Sequence, residues 1–551
     1  MQRVPRRWRV ACRFAWASVL VLGTVVPLSA EPPSYAIEQI VLSTDPAPGT
    51  GGTFQLLGAP SINAHDAIAF NDGFGFGIFT TADGRGVGPL VRAVGSGDVP
   101  PGILGPFGGV AEPSLNDDGT FAFRGFGTDS WDRGIYLRLG SGGLRLVADA
   151  SIVPPGSSEP LLRTAPGIPL ANDGNHVLFS HATASTRGVY RADFVGSTGA
   201  TSLAPPVILD SGFLQSPGSE SPLDYSMNDP GSAVIVLRRA DFTRALYAAQ
   251  PDGSLVVLVA AGDPAPGGGS FTSNLGAPSI NRRGDVAFQG DAGSGSTIFI
   301  RNAGGTLAKV VDGAVEVPNH PGTTFVAFLD VHIADEGTVV FRAAYRLDGV
   351  DYQGIYRTAA AGLKVVFDQF DGIVVNGQPV SLVRNDFGFP FVLPLFLAPR
   401  FVNDSFDVAF LQQLPPDNPF GPPKAGIFIA RAPAEPVFPV TIDIKPGTFP
   451  NRINLRSNGT LPVAVLSTAT FDAAAVDPRT VTLADALVKL GGSGAPMASL
   501  QDVNEDGLLD LLVHIGIQGL EMSPGDTQAI LKGKTFSGVT IQGVDSVELT
   551  P

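Results

Sequence analysis

Apolar and polar residues alternate through Gly276–Gly290, GAPSINRRGDVAFQG, in two short runs separated by Asn281-Arg282-Arg283-Gly284. A period of two puts every second side chain on the same face of a strand. Asn and Gly tolerate the positive φ that a tight reversal needs. The stretch therefore predicts a β-hairpin, with Pro278–Ile280 leading in and Asp285–Phe288 leading out.

The same pattern recurs along most of the chain. Its copies are PSINAHDAIAF (Pro60–Phe70), PSLNDDGTFAF (Pro113–Phe123), PLANDGNHVLF (Pro169–Phe179), YSMNDPGSAVI (Tyr225–Ile235), PSINRRGDVAF (Pro278–Phe288), VHIADEGTVVF (Val331–Phe341) and RFVNDSFDVAF (Arg400–Phe410). The anchors stand at 63, 116, 172, 228, 281, 334 and 403, with steps of 53, 56, 56, 53, 53 and 69 residues. The sixth copy has Ala334 in place of asparagine, and the third has Gly174 one position early. About twenty residues after each anchor comes a short strand ending in an aromatic, as in Gly77-Ile78-Phe79 or Gly354-Ile355-Tyr356. In six copies an apolar strand follows and runs into an aspartate at a Pro/Gly turn.

Four short strands repeating at about 50 residues are the pattern of a β-propeller blade. A lone blade cannot bury both faces of its sheet, so alternating residues such as Val286 and Phe288 are expected between blades. A β-solenoid is the competing architecture, with shorter rungs and no such hairpin. The seventh unit lacks its fourth strand, because the chain passes from Gly426–Ala430 straight to Ala432–Pro436. A matching segment stands at the other end: Gln39–Gly49 resembles Leu255–Gly267, and both close on Asp-Pro-Ala-Pro-Gly. The fold expected is all-β, a seven-bladed propeller over 37–431. Ile37–Ser43 pairs with Gly426–Ala430 in this reading, so the ring closes without a broad free edge.

The motif Asn-x-x-Gly-x-x-Ala-Phe is complete at Asn116/Gly119/Ala122/Phe123 and at Asn281/Gly284/Ala287/Phe288. In tandem it resembles the NxxGxxAF repeat proteins of exported bacterial chains, often found beside a cell-surface anchor. The resemblance covers roughly Ile37–Ala430. It implies export and a repeat fold and carries no activity. The repeated asparagine has two readings, turn chemistry and a binding ring on one rim. So does the recurring aspartate (Asp45, Asp98, Asp149, Asp210, Asp263, Asp312, Asp368). Turn chemistry is preferred for both, since Ala334 is accepted at the anchor and the aspartates precede Pro/Gly turns.

Ala432–Pro439 reads as a linker, and Val440–Pro551 as a compact β-sandwich-like domain with strands at Leu461–Leu466, Val481–Leu483, Leu508–Ile515 and Ser546–Leu549. Its opening, Ile442-Asp443-Ile444-Lys445-Pro446-Gly447 through Asn454, resembles an IDIKPGxxPNxIN accessory module of secreted bacterial and archaeal proteins, again without an activity. Within it, Asp502-Val503-Asn504-Glu505-Asp506-Gly507-Leu508-Leu509-Asp510 sets hard oxygens at positions 1, 3, 5 and 9, and Gly507 permits a sharp bend. This is the front of a calcium loop, with the Leu508 carbonyl at position 7. The candidate Ca²⁺ ligands are thus Asp502, Asn504, Asp506, Leu508 and Asp510. Val513 stands where an EF-hand has its bidentate Glu, so the loop resembles instead the shorter loops of thrombospondin type 3 and FG-GAP repeats. An acidic turn without metal is the alternative.

The first 30 residues carry five arginines and no acid, and Phe14–Leu28 is apolar. That is a secretory signal with cleavage after Ala30 or Ala36, of Sec type, or of Tat type through Arg6-Arg7. Cys12, the only cysteine, lies inside it. The mature chain is expected outside the cytoplasm, extracellular, on the cell surface or in the periplasm, without disulfides. Removing those arginines leaves 31 basic against 51 acidic residues, which disfavours nucleic acid and anionic membrane. None of the six histidines has a zinc-site spacing, and there is no Gly-x-Ser-x-Gly elbow or phosphate-cradling loop. His65 and His332 read as structural. The expected function is a monomeric, non-catalytic scaffold for a glycan or protein ligand. The alternative is a propeller hydrolase or lyase that acts on a polysaccharide with channel carboxylates.

Overall fold

The structure is a computed structural model. It describes residues 35–550 except 55, 73–74, 83–87, 101–104, 129–131, 155–157, 163–167, 185–186, 196–199, 204–207, 211–223, 240, 250–253, 294, 360–361, 376–377, 381–394, 399, 415–423, 434–436, 493–494, 524 and 537–538. The expected signal segment, 1–30, lies outside the described residues.

Seven antiparallel sheets follow one another along the chain, and in the first six the strands stand in sequence order from the inside outward. Blade 1 comprises Ser61–Ile62, Ile68–Asn71, Gly77–Thr81 and Leu90–Gly95. Blade 5, which holds the hairpin above, comprises Gly276–Ile280, Val286–Asp291, Ser296–Arg301 and Leu307–Asp312. The inner strands of blades 2, 3, 4 and 6 are Phe107–Leu115, Leu170–Ala171, Tyr225–Met227 and Phe325–Ile333. Blade 3 divides its outer strand into Ala200–Leu203 and Ile208–Asp210, both paired with Arg187–Val195. Blade 7 takes Leu395–Phe396, Val408–Leu414 and Lys424–Arg431 from its own unit, and its fourth strand is Ala36–Leu42. The register runs antiparallel from Ala36 opposite Arg431 to Leu42 opposite Gly426. The Ser43 N–H then donates to the Ala425 carbonyl at 2.8 Å. The ring is a seven-bladed β-propeller closed by its first strand.

The motif residues acquire their reasons from packing. The motif Phe lies directly opposite the aromatic of the third strand in six blades: Phe70–Phe79, Phe123–Tyr136, Phe179–Tyr190, Phe288–Phe299, Phe341–Tyr356 and Phe410–Phe428. Their ring centroids are 5.7–5.9 Å apart. Directly opposed side chains share a face, and paired aromatics contribute roughly 0.5–1 kcal/mol beyond the area they bury. Phe288 and Phe299 pack with Val234 and Leu246 of blade 4, whereas Ala287 and Ile298 face Phe341 and Tyr356 of blade 6. The small Ala thus leaves room for the next blade's aromatics. The seam between blades 7 and 1 repeats this, with Ala409 against Phe70 and Phe79.

Three residues after each anchor the backbone has positive φ in all seven copies: Asp66, Gly119, Asn175, Gly231, Gly284, Gly337 and Phe406. This is the residue for which the motif supplies glycine. In the third copy Asn175, not the early Gly174, adopts the left-handed conformation.

The C-terminal part packs a five-stranded sheet on a four-stranded one around a single core that includes Ile442, Val463, Val513, Leu531 and Ile541. Val437–Pro439, inside the stretch read as linker, is instead an edge strand parallel to Thr540–Gln542. An edge suits Pro439, which has no N–H to donate. The strand expected at Leu508 starts at Asp510, and the one expected at Ser546 starts at Glu548. Leu508 and Leu509 are exposed loop residues. Among the described residues no helix is long and apolar enough to cross a membrane.

Candidate functional site

In blades 1 to 5 the inner strand ends at a buried anchor asparagine, blade 7 keeps Asn403 beyond its short inner strand, and the side chain does two jobs. Its oxygen closes the local turn: Asn281 Oδ1 accepts the N–H groups of Arg283 and Asp285 at 3.0 and 2.9 Å, and Asn63 and Asn403 repeat the arrangement. In four copies its amide nitrogen donates to the anchor carbonyl of the next blade, and in Asn403 it donates to Asp66 Oδ1 at 2.9 Å. Asn63 reaches Asn116, Asn172 reaches Asn228, Asn228 reaches Asn281 and Asn281 reaches Ala334, at 2.6–3.0 Å. A serine two residues before the anchor adds a second stitch. Ser61, Ser114, Ser226 and Ser279 each accept an N–H from the following blade, at 3.0–3.3 Å. Turn chemistry, as expected, is one reason for the repeated asparagine; the blade-to-blade bond is the reason sequence reasoning missed. It depends on which residues become neighbours 53 to 57 positions apart.

The residue after each anchor faces the channel. In order these are Ala64, Asp117, Asp173, Asp229, Arg282, Asp335 and Asp404. The carboxylates are stitched in the same direction: Asp117, Asp173, Asp229 and Asp335 each accept the N–H of the preceding blade's equivalent residue, at 2.8, 2.6, 3.1 and 2.8 Å. Arg282 Nε sits 2.9 Å from Asp229 and 3.2 Å from Asp335. Arg400, on blade 7, crosses the channel. Its Nη2 is 3.0 Å from Asp173 Oδ2 and 4.0 Å from Asp117 Oδ1, and its Nη1 donates to the Ala171 carbonyl at 3.2 Å. Burial and the adjacent Asp173 push the Asp117 carboxyl up to about 6. Asp173 is lowered: burial opposes its charge, but Arg400 and the Asp117 N–H prevail. Asp404 makes no hydrogen bond among the described residues. It is open to water, yet walled by protein, and desolvation raises its pKa.

Beside this ring lies a cavity of about 910 Å³. Its described walls are the inner strands of blades 3 to 6, residues 397–398 and 400–406 of blade 7 and, at the anchor end, the sheet of the C-terminal part, through Thr480, Thr482, Lys532 and Lys534. Lys534 Nζ is 3.5 Å from Glu336 and 5.3 Å from the centre of the Phe406 ring. His332 also lines the cavity. It takes the position that serine holds in four other blades, stands against Phe401, and has no hydrogen-bond partner among the described residues. Desolvation, with Arg400 nearby, lowers its pKa to about 4, so the imidazole is neutral near pH 7.

The other sequence candidates separate. Asp45, Asp98 and Asp263 accept the N–H three residues earlier at 2.8 Å, and Asp149 and Asp312 accept the one two residues later. These are turn bonds. The Asp210 side chain lies outside what is described. Asp368 makes the same turn bond, to the Phe370 N–H at 2.9 Å, and differs in also taking the hydroxyls of Tyr345 and Tyr356 at 2.5 and 2.7 Å.

In the 502–510 loop, Asp502 accepts the Gly507 N–H at 2.9 Å, and the Asp506 N–H lies 3.2 Å from both Asp502 Oδ1 and Asn504 Oδ1. Asp506 in turn accepts the Leu508 N–H at 2.8 Å. These acceptors are exposed and close together, as a hard cation requires. Asp510 is not: it is fully buried, and its two oxygens hold the N–H groups of Ser467 and Val503. Among the described residues no three His, Cys, Asp or Glu side chains form a group that could hold a metal ion.

A model of a family of unknown function (DUF7453) matches residues 227–439, which run from the fourth anchor to the edge strand of the C-terminal part. No curated protein matches the chain. Among solved structures, puromycin hydrolase is similar at 11% identity and TM-score 0.37 over 71% of this chain, which spans 53% of that protein's length. Virginiamycin B lyase from Staphylococcus aureus aligns at 11% identity and TM-score 0.36, covering 72% of this chain and 99% of that one. The Aleuria aurantia lectin aligns at 16% identity and TM-score 0.28, over 59% and 96%.

Proposed function

We propose that this chain is an exported, non-catalytic scaffold whose propeller binds a glycan or protein ligand, with the cavity at the anchor end of the channel as its binding site. One observation carries the reading. Four of the five ring carboxylates are each engaged by a backbone N–H of the preceding blade, and the same four flank an arginine. A general acid or nucleophile must be free to reach a reacting atom. These groups hold the ring together instead. The basic, then apolar N-terminal segment supports export, and the NxxGxxAF and IDIKPG resemblances point the same way.

The polysaccharide hydrolase reading keeps one supporting observation. Asp117 and Asp173 are neighbours whose pKa values move apart, the arrangement that assigns an acid and a base to paired carboxylates. A glycan array together with a polysaccharide-degradation screen on the full chain separates the two readings. Binding without turnover is expected. Turnover lost in Asp117→Asn would replace the scaffold with the enzyme.

A further inference from the structure

At the seam between blades 6 and 7 both stitching residues are replaced, whereas at the seam between blades 7 and 1 Phe401 takes the serine position but the Asn403 amide still crosses, donating to Asp66 Oδ1 at 2.9 Å. Between blades 6 and 7 the anchor is Ala334, which has no amide to donate, and the serine position is His332. The step to the next anchor is also the longest, 69 residues. Places where a structural rule is broken without local compensation are where function is expected. Both substituted positions, and the Asp404 that follows them on the ring, line the cavity.

Charge is also incomplete at this seam. Around the ring Arg400 serves Asp117 and Asp173, and Arg282 serves Asp229 and Asp335. Asp404, next to Asp335, has no cation of its own within ion-pair distance among the described residues. Its carboxylate offers acceptors only. His332 offers one ring donor and one acceptor, neither used among the described residues. The cavity, at about 910 Å³, is large enough for a small organic ligand.

We propose that the cavity at the seam of blades 6 and 7 binds a small organic cation, an ammonium group on a polyhydroxylated or alkyl body, with Asp404 as its counter-ion and His332 as a neutral hydrogen-bonding wall. This rests on the cavity being the binding site of the preceding section. The ligand's ammonium supplies the third cation of the ring. Its hydroxyls or methylenes lie toward His332 and Phe401.

Calorimetric titration of the full chain with glucosamine, putrescine and glucose at low salt tests this. Glucosamine or putrescine is expected to bind saturably, and glucose at least about tenfold more weakly, because only the first two place a charge against Asp404. Asp404→Asn is expected to abolish that preference while leaving the thermal midpoint in place, since the carboxylate holds no group among the described residues. His332→Ser is expected to weaken both amines. Equal binding of glucose and glucosamine, or an unchanged preference in Asp404→Asn, would overturn the proposal. So would absent amine binding; if the glycan array were then still positive, the scaffold reading would stand without the cation, and a blank array would remove both.

Discussion

Arg400 of blade 7 and Asp173 of blade 3 meet across the channel at 3.0 Å, 227 residues apart in sequence. Both lie inside hairpin copies but outside the Asn, Gly, Ala and Phe positions of the motif. Arg400 lies three residues before its anchor, where most copies have proline, and Asp173 lies one after. The pair ties two non-adjacent blades, whereas the stitching bonds connect adjacent ones. Arg400→Met removes the cation and leaves Asp117 and Asp173 facing each other. The expected cost is about 1–3 kcal/mol, short of the fully buried case because both partners keep some exposure. A double-mutant cycle with Asp173→Asn in chemical denaturation measures the coupling, and additive single effects would refute the tie.

Ring closure makes a second prediction. The first strand carries the whole outer edge of blade 7, and Arg431 additionally pairs with Glu38 at 2.8 Å. Deleting 37–45 from the full chain uncovers the Lys424–Arg431 edge and the Val41 contact. The thermal midpoint should fall by at least ~10 °C, the consequence of losing several kcal/mol. An unchanged midpoint would contradict the closure seen here.

The absent rung at Ala334 can be filled. Ala334→Asn places an amide where six other copies have one, within reach of the Asn403 carbonyl if it follows the geometry of its neighbours. A gain of roughly 0.5–1.5 kcal/mol is expected. Asn228→Ala makes the opposite change, removing both the bond to Asn281 and the turn bond from Ser232, at a cost of about 2–3 kcal/mol. Urea midpoints of the two variants should move in opposite directions. If Ala334→Asn also destabilises, the seam is shaped for something other than a rung.

For the 502–510 loop, calcium is expected to raise the melting temperature of the full chain. The linked stabilisation is about 2.7 kcal/mol at a hundredfold excess over Kd. Asp502→Asn should abolish the shift and leave the calcium-free midpoint nearly unchanged, because its oxygens serve only exposed loop N–H groups. Asp510→Asn should lower the midpoint with or without calcium, since Asp510 anchors Ser467 in the core. No response up to millimolar calcium would return the loop to an acidic turn.

Stability should also depend on pH through two desolvated histidines, the buried His181 and the half-buried His332. His181 and His332 are both lowered to about 4 by desolvation. Between pH 6.5 and 4 the unfolded chain takes up protons there that the folded chain does not. Stability therefore falls as pH drops through that window, by up to about 3 kcal/mol per histidine. Asp117 acts with the opposite sign. Its folded pKa of about 6 lies above the ordinary 3.8, so the folded state binds the extra proton and gains stability on acidification between those values. His181→Phe should flatten the acid limb of a midpoint-versus-pH curve, and Asp117→Asn should steepen it. A curve insensitive to both would show that neither group titrates as described.

The amino-acid sequence by itself determined the number of blades, the strand order within each and the exchange of one terminal strand. These depend on local alternation, turn residues and a period, and all three are written along the chain. The pairing of Ala36–Leu42 with Lys424–Arg431 was legible because one unit lacked a strand and another segment matched it. The 502–510 loop was legible as a candidate calcium loop for the same local reason, but only the fold showed that Asp510 points into the core while its neighbours stay outside. The channel was not legible. Asp117, Asp173, Asp229, Asp335 and Asp404 stand in sequence as ordinary acidic turn residues, each beside its anchor. Their convergence, the arginines between them and the open carboxylate at Asp404 arise only when seven turns close into a circle. Residues more than fifty positions apart then become neighbours, and a charge pattern that means nothing along a line becomes a site around a ring.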